Sequence, residues 1–152
     1  MRNWVLAAGL AALMMAGQAQ AATLVATIDI SSQTMTVKHH GKVLHEWKVS
    51  TARAGYRTPT GTFRPYRVHR MWHSRTYDNA PMPFAVFYDR GWAVHGTTAV
   101  SRLGQPASHG CVRLHTDNAR IFYELVREIG AGNTRIVVTD EPISQLSAEL
   151  RR

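Results

Sequence analysis

The 152-residue chain holds a single cysteine, Cys111, and only 10 acidic residues against 18 lysines and arginines. One cysteine excludes a disulfide within the chain, so the fold is not a small cross-linked scaffold. The thiol left over is an intermolecular link, a buried inert side chain or a reactive group. The shortage of acid gives a formal net charge of +8 at pH 7. Its cations, among them Lys38, Lys42, Lys48, Arg53, Arg57, Arg64, Arg67 and Arg70, are scattered and not run together. A nucleic-acid binder concentrates them in a patch, so no nucleic-acid partner is expected. Scatter reads as solvated surface, with a weak bias towards anionic polymers. Beyond the N-terminus there is also no apolar run long enough to span a bilayer, no internal repeat and no low-complexity tract.

The N-terminus is different. Met1-Arg2-Asn3 is a short positive start, Trp4 to Gly17 is nearly all apolar, and Ala19-Gln20-Ala21 puts small residues where signal peptidase reads. This order predicts a secretory signal over residues 1–21 and not a retained anchor, because the run is short for a spanning helix. The expectation is an exported protein of the periplasm or cell envelope, with no membrane anchor once the signal is removed. One domain is expected over 22–140, with a peripheral tail over 141–152.

Past the signal, the pattern is mainly β with one principal helix. Leu24, Ala26, Ile28 and Ile30 alternate with their neighbours, as do Met35 and Val37. Ser31-Ser32-Gln33 and His40-Gly41-Lys42 supply turns between three short strands up to Ser50. Arg57 to Phe63 is a punctuated loop around Pro59, and Phe63 to Val68 reads as a strand. Met71 to Met82 lacks a period and is expected to be a surface loop. Phe84–Tyr88 and Trp92–Val94 form a hairpin turning at Asp89-Arg90-Gly91. Ala119, Phe122, Leu125, Val126 and Ile129 fall on one face of a helix, capped by Thr116 or Asp117 and stopped by Gly130. Arg135 to Thr139 closes as a strand.

Chemistry concentrates at Ser108-His109-Gly110-Cys111-Val112-Arg113-Leu114. A free cysteine is mostly thiol near neutral pH and needs a base or positive charge to become a nucleophile. His109, His95, Arg113 and His115 are all near it in sequence. Gly110 permits a sharp turn that would aim backbone N–H groups at one spot, as an oxyanion hole requires. His95 sits at the end of a strand-like run, in Val94-His95-Gly96-Thr97. A base set on a separate strand holds its geometry better than one on the same turn, which favours His95 over His109. These features alone leave alternatives open, since a lone cysteine is more often a small apolar filler. His109, Cys111 and His115 also offer a metal-binding reading. Zinc hydrolases, however, pair helical histidines with a carboxylate, and no such pattern occurs, so no metal and no cofactor is expected. Trp72 and Tyr77, with His73 and Met82, are either one wall of a substrate groove or a loop packed on the sheet.

The run HGTTAVSRLGQPASHGCVRL, His95 to Leu114, resembles the signature of the L,D-transpeptidase catalytic domain, also called the YkuD domain. IDISSQTMTV, KVSTARAGYRTPTGTF and MPFAVFYDRGWAVHG resemble that family's early strands, its Thr-Pro-Thr-Gly-Thr-Phe loop and its approach to the histidine. The resemblance implies a β-sandwich-like catalytic domain whose nucleophile is Cys111. It implies His95 as base, the Gly96 carbonyl as its orienting acceptor, and N–H groups of Gly110 and Cys111 as the oxyanion hole. Ser108, His109, Arg113, Tyr77 and Trp72 are the expected substrate contacts, with a structural ion pair as the alternative for Arg113. The implied partner is a peptidoglycan stem peptide, with a second stem, an envelope protein or water as acyl acceptor. A wall-binding module without catalysis is the non-enzymatic alternative.

Overall fold

In the computed structural model, residues 21–142 are described; the signal expected over 1–21, apart from its last residue, and most of the tail expected from 141 fall outside them. The first residues after that boundary show why the chain becomes β-rich. Leu24, Ala26 and Ile28 are fully buried on β1 (Leu24–Asp29), and Met35 and Val37 on β2 (Thr34–His39), so each strand gives one apolar face to the interior. The turn between them is tied by Asp29, whose carboxylate accepts from Ser31 N–H at 2.9 Å and Ser31 Oγ at 2.6 Å. β3 (Lys42–Lys48) follows through the expected turn at His40-Gly41.

The chain then builds β4 (Gly61–Phe63), β5 (Arg67–His73), β6 (Pro81–Asp89), β7 (Trp92–Thr97), β8 (Val112–His115), α1 (Thr116–Ile129) and β9 (Thr134–Thr139). One sheet has the order β3-β2-β1-β9-β4, and the other β5-β6-β7-β8. The pairs β1/β9 and β7/β8 are parallel, and the rest are antiparallel. A core of Leu24, Ile28, Met35, Ile136, Val86, Val94 and Leu114 fills the space between the sheets. Helix α1 closes it with Ala119, Phe122, Tyr123 and Val126, while Leu125 and Ile129 are only partly buried. No helix among the described residues is long and apolar enough to cross a membrane.

Four local expectations are corrected. Phe63–Val68 is not one strand: Pro65 has no N–H for a ladder, and the chain breaks there between β4 and β5. The loop expected over Met71–Met82 shrinks to 74–80, because Met71, Trp72 and His73 pair with Pro83, Met82 and Pro81. Ladder pairing supplies there what the aperiodic side chains did not advertise. The hairpin strands are correspondingly longer than Phe84–Tyr88 and Trp92–Val94. Finally, His115 and not Thr116 or Asp117 caps α1, its Nδ1 accepting from Asp117 N–H at 3.3 Å.

One buried amide joins the first sheet to the segment that enters the second. Gln33 donates from Nε2 to Ile30 O at 2.8 Å and to Thr51 Oγ1 at 2.6 Å, and its Oε1 accepts from Thr51 N–H at 2.9 Å. Both residues are excluded from water. Gln33→Leu keeps the bulk but strands the Thr51 N–H and hydroxyl, and is expected to cost about 2–4 kcal/mol of unfolding free energy. Urea denaturation measures this, and a loss below about 0.5 kcal/mol would show that the Thr51 groups find other partners.

Candidate active site

Parallel pairing of β7 and β8 places His95 opposite Arg113, while Val94, Val112 and Leu114 point into the core. Strand alternation turns Ala93, His95 and Arg113 to the other side of the sheet, and Cys111, two residues before Arg113, joins them. His95, Cys111, Arg113, His109, Trp72 and Tyr77 all line one cavity of about 930 Å³. Its floor is formed by Met82 and Phe87, part of a second apolar cluster that also holds Ala85 and Ala93 and against which Trp72 and Cys111 pack. That floor depends on a kink. Phe84 has φ 53°, a left-handed conformation that is costly for a bulky residue. The kink lets Met82 and Ala85, three residues apart, share a face that regular alternation would deny them. Phe84 itself turns inward onto Tyr123, with ring centroids 5.7 Å apart.

His95 is 6% exposed, and its Nδ1 lies 2.7 Å from Gly96 O. A carbonyl only accepts, so Nδ1 carries the proton and Nε2 keeps its lone pair. Burial lowers the His95 pKa from 6.5 to about 4; the Gly96 bond opposes this and the nearby Arg113 charge adds to it. The ring is therefore neutral at pH 7, with the Nε2 lone pair free of that hydrogen bond. Gly96 also has no room for a side chain: a Cβ would sit 3.0 Å from Thr116 Cα and 3.1 Å from Pro83 Cγ.

Cys111 is partly buried, with Sγ 4.0 Å from Gly91 O. Burial raises its thiol pKa, and the Ala93 N–H and the Arg113 charge offset this only in part. Desolvation of the thiolate thus outweighs the nearby cation. A neutral thiol and a neutral imidazole lining one cavity are the resting state these shifts imply.

The turn holding Cys111 is fastened from several sides. Ser108 is fully buried, donating from Oγ to Cys111 O at 2.6 Å and accepting from Gly110 N–H at 3.0 Å. It braces the turn, which corrects its expected place among substrate contacts. Thr58 donates from Oγ1 to Gly110 O at 2.9 Å and accepts from Ala52 N–H at 3.0 Å. Gly110 has φ 133°, and a Cβ there would collide with Trp92 Nε1 and lie 2.7 Å from Arg57 O. Ser50 exchanges both backbone bonds with Arg113, and Thr51 O accepts from Ala107 and Ser108 N–H at 2.9 Å each. Gln33, Ser50, Thr51 and Thr58 had no individual role in the sequence reading. Their only sequence signal was polar, turn-rich stretches, whose tertiary partners lie 18 or more positions away.

His109 is held between two tyrosines: it stacks on Tyr77 at 4.2 Å and 9°, and meets Tyr56 edge-on at 4.7 Å. Burial, Arg53 and Arg113 lower its pKa, against Asp78. Tyr77, 38% exposed, thereby draws the 74–80 loop over the turn. His73 does not line the cavity, and Met82 does so from the floor. Arg113 makes no ion pair among the described residues, so the structural-pair alternative lacks an acid. His109, Cys111 and His115 do not converge: among the described residues, no three His, Cys, Asp or Glu side chains could share a metal ion.

Comparison with known proteins gives a consistent result. The family model of the L,D-transpeptidase catalytic domain matches residues 24–138. "Probable L,D-transpeptidase YbiS" of Escherichia coli K12 is 38% identical over 66 residues, which is 43% of this chain and 20% of that protein. LD transpeptidase LdtMt1, solved in complex with imipenem, aligns with a TM-score of 0.68 and 28% identity over 78% of this chain and 59% of that one. An L,D-transpeptidase from Mycobacterium smegmatis gives a TM-score of 0.68 and 27% identity over the same shares. The matched stretch thus spans about a fifth of YbiS and less than two thirds of either solved chain.

The His95 environment yields a pH prediction. Its folded pKa of about 4 lies below the ordinary 6.5, so the unfolded chain binds more protons between those values. Stability from this group is complete above pH 6.5 and is lost as pH falls towards 4, by about 3 kcal/mol in all. His95→Gln should flatten that part of the slope in urea titrations at pH 7 and pH 4. Equal slopes in both proteins would mean that burial does not hold the imidazole neutral.

Proposed function

The chain belongs to the L,D-transpeptidase catalytic-domain family, and from that premise we propose that it is an exported cysteine acyltransferase acting on peptidoglycan stem peptides. The observation that carries this reading is the pair in one cavity: a half-buried Cys111 and a neutral His95 whose Nδ1–H is taken by Gly96 O. The N-terminal signal pattern supports export, and the basic balance suits an acidic wall polymer.

The chemistry follows from the protonation states. As Cys111 Sγ attacks the carbonyl of the diamino acid at position three of a tetrapeptide, His95 Nε2 takes the thiol proton. An S–C bond forms, and the carbonyl oxygen becomes an oxyanion. Gly110 N–H already donates to Ser108 Oγ, so the Cys111 N–H is the main donor to that oxyanion and Gly110 N–H a shared one. The C–N bond to the terminal D-alanine breaks, and His95 returns its proton to the leaving amine. The thioester then meets an acceptor amine, from a second stem or an envelope protein, and His95 takes the amine's proton. The S–C bond breaks and the thiol is restored. Water in place of the amine makes the same site a carboxypeptidase.

Several features support this division of labour. Because thiol and imidazole are both neutral at rest, charge develops only during attack, where Arg113 faces it. His109 is clasped by Tyr56 and Tyr77 and is suited to shaping the groove and touching substrate.

Cys111→Ser should lose at least about 10³-fold in turnover of a purified tetrapeptide. His95→Ala should lose about 10²–10⁴-fold, and His109→Ala noticeably less. Mass spectrometry of the products separates cross-linked dimers from free tripeptides and so transfer from hydrolysis. Imipenem should add one mass equivalent to the wild type and none to Cys111→Ala. An adduct on Cys111→Ala, or a larger loss from His109→Ala than from His95→Ala, would reassign the roles.

A further inference from the structure

Away from the nucleophile, the same cavity has a wall that the proposed reaction leaves unused. Trp72 on β5 packs on His69 at 4.7 Å and edge-on to Phe87 at 5.8 Å between centroids. Two guanidinium groups lie over it: Arg67 Cζ is 4.8 Å from the indole centroid and 4.4 Å from that of Phe87, and Arg75 Cζ is 5.5 Å from the indole. Both arginines line the cavity, and neither makes an ion pair among the described residues. Arg90, also in the lining, is already paired with Asp89 at 3.9 Å. Asp78 is the sole acid in the lining among the described residues.

This arrangement is specific in what it offers. A guanidinium resting on an aromatic face is held by cation–π attraction, so its position is set before any ligand arrives. Its N–H fork stays free at the edge, with the geometry that takes a carboxylate through two parallel hydrogen bonds. Two such cations around one indole repel each other, and an anion between them removes that cost. Across the β5/β6 ladder Arg67 pairs with Phe87 and Trp72 with Met82, and the kinked Phe84 lies between those two β6 positions. Arg67 and Trp72 are five residues apart on β5, a spacing that regular alternation would put on opposite faces, yet Arg67 lies over the Trp72 ring.

We infer that Arg67 and Arg75, whose guanidinium groups both lie over the Trp72 indole, form a carboxylate subsite that reads a free side carboxylate of the donor stem and discriminates against its amide. This rests on the reading of the cavity as a stem-peptide site and adds to it the ionisation state of the peptide accepted. An amide presents a donor where the fork needs an acceptor and carries no charge, so it leaves both cations uncompensated.

Binding without turnover tests this. Two synthetic tetrapeptides, one with free side carboxylates and one amidated at those positions, both keeping the terminal carboxylate, are titrated calorimetrically into full-length Cys111→Ala protein. The acid form should bind at least about tenfold tighter, and the ratio should shrink as salt is raised. Adding R67Q and R75Q should bring the ratio to about one. Should that variant fail to fold, R67K with R75K carries the test, because lysine keeps the charge and loses the fork: a reduced ratio supports the subsite and an unchanged one overturns it. Equal affinities for the two peptides, a ratio that survives R67Q with R75Q, or no measurable binding of the acid form also overturns it. Because the nucleophile is absent throughout, a wild type that binds the acid form but transfers nothing would fail the proposed reaction and leave the subsite standing.

Discussion

Everything in the site depends on how the short segment after β3 grips the Cys111 turn. Ser50 pairs with Arg113, Thr51 holds Ala107 and Ser108, and Thr58 holds the Gly110 carbonyl. A turn with Gly110 at φ 133° is not a conformation the chain prefers, and Trp92 and Arg57 crowd it on the side where a side chain would stand. Isolated, such a loop would sample many states; here its backbone groups are consumed one after another by partners from a different part of the chain. Gln33 carries the grip one step further back, into the first sheet. Cys111 is thus positioned by a hydrogen-bonded relay that spans both sheets, with the apolar core around it preventing water from competing.

The electrostatics follow from the same burial. Taking Cys111 and His95 out of water disfavours the charged form of each, so the imidazole is pushed down and the thiol up. Arg113 pulls both in the direction of lower pKa, yet burial remains the larger cause for each. A pair that is neutral until substrate arrives also resists oxidation, because the thiolate is the species most readily oxidised. In the proposed reaction it also leaves the proton transfer to the moment of attack, when the oxyanion that forms would be met by the Cys111 N–H.

The cavity walls show a second use of strain. Phe84 is held left-handed by its packing on Tyr123 and by the pairing on either side of it. That local cost reorders which side chains face the groove, assembling Met82, Trp72 and Phe87 into one aromatic and apolar surface on which Arg67 and Arg75 rest. Opposite, Tyr77 lies flat on His109 and ties the 74–80 loop to the turn. The groove therefore has one wall attached to the Cys111 turn and another attached to a kinked strand.

How much of this was legible in the sequence follows from range. Alternating burial in β1 and β2, the turns at His40-Gly41 and Arg90-Gly91, and the apolar face of α1 are local patterns, written in neighbours a few positions apart. The Ser-His-Gly-Cys run and the histidine-glycine pair ahead of it carried the family by themselves, because their chemistry requires those residue types at those places. By contrast, the strands through Met71–His73 and Val112–His115 exist only because β6 and β7 lie beside them, and no local period announces that. Ser108 looked like a substrate contact and is a brace, since only its burial reveals where its hydroxyl points. The direction of the Cys111 shift, the partners of Thr58 and Gln33, and the meeting of Arg67 with Arg75 over one indole are likewise tertiary facts. Sequence determined which groups were present and what chemistry they can do; the fold decided which of them meet and how far from water, because desolvation and long-range contacts do not exist until the chain has closed on itself.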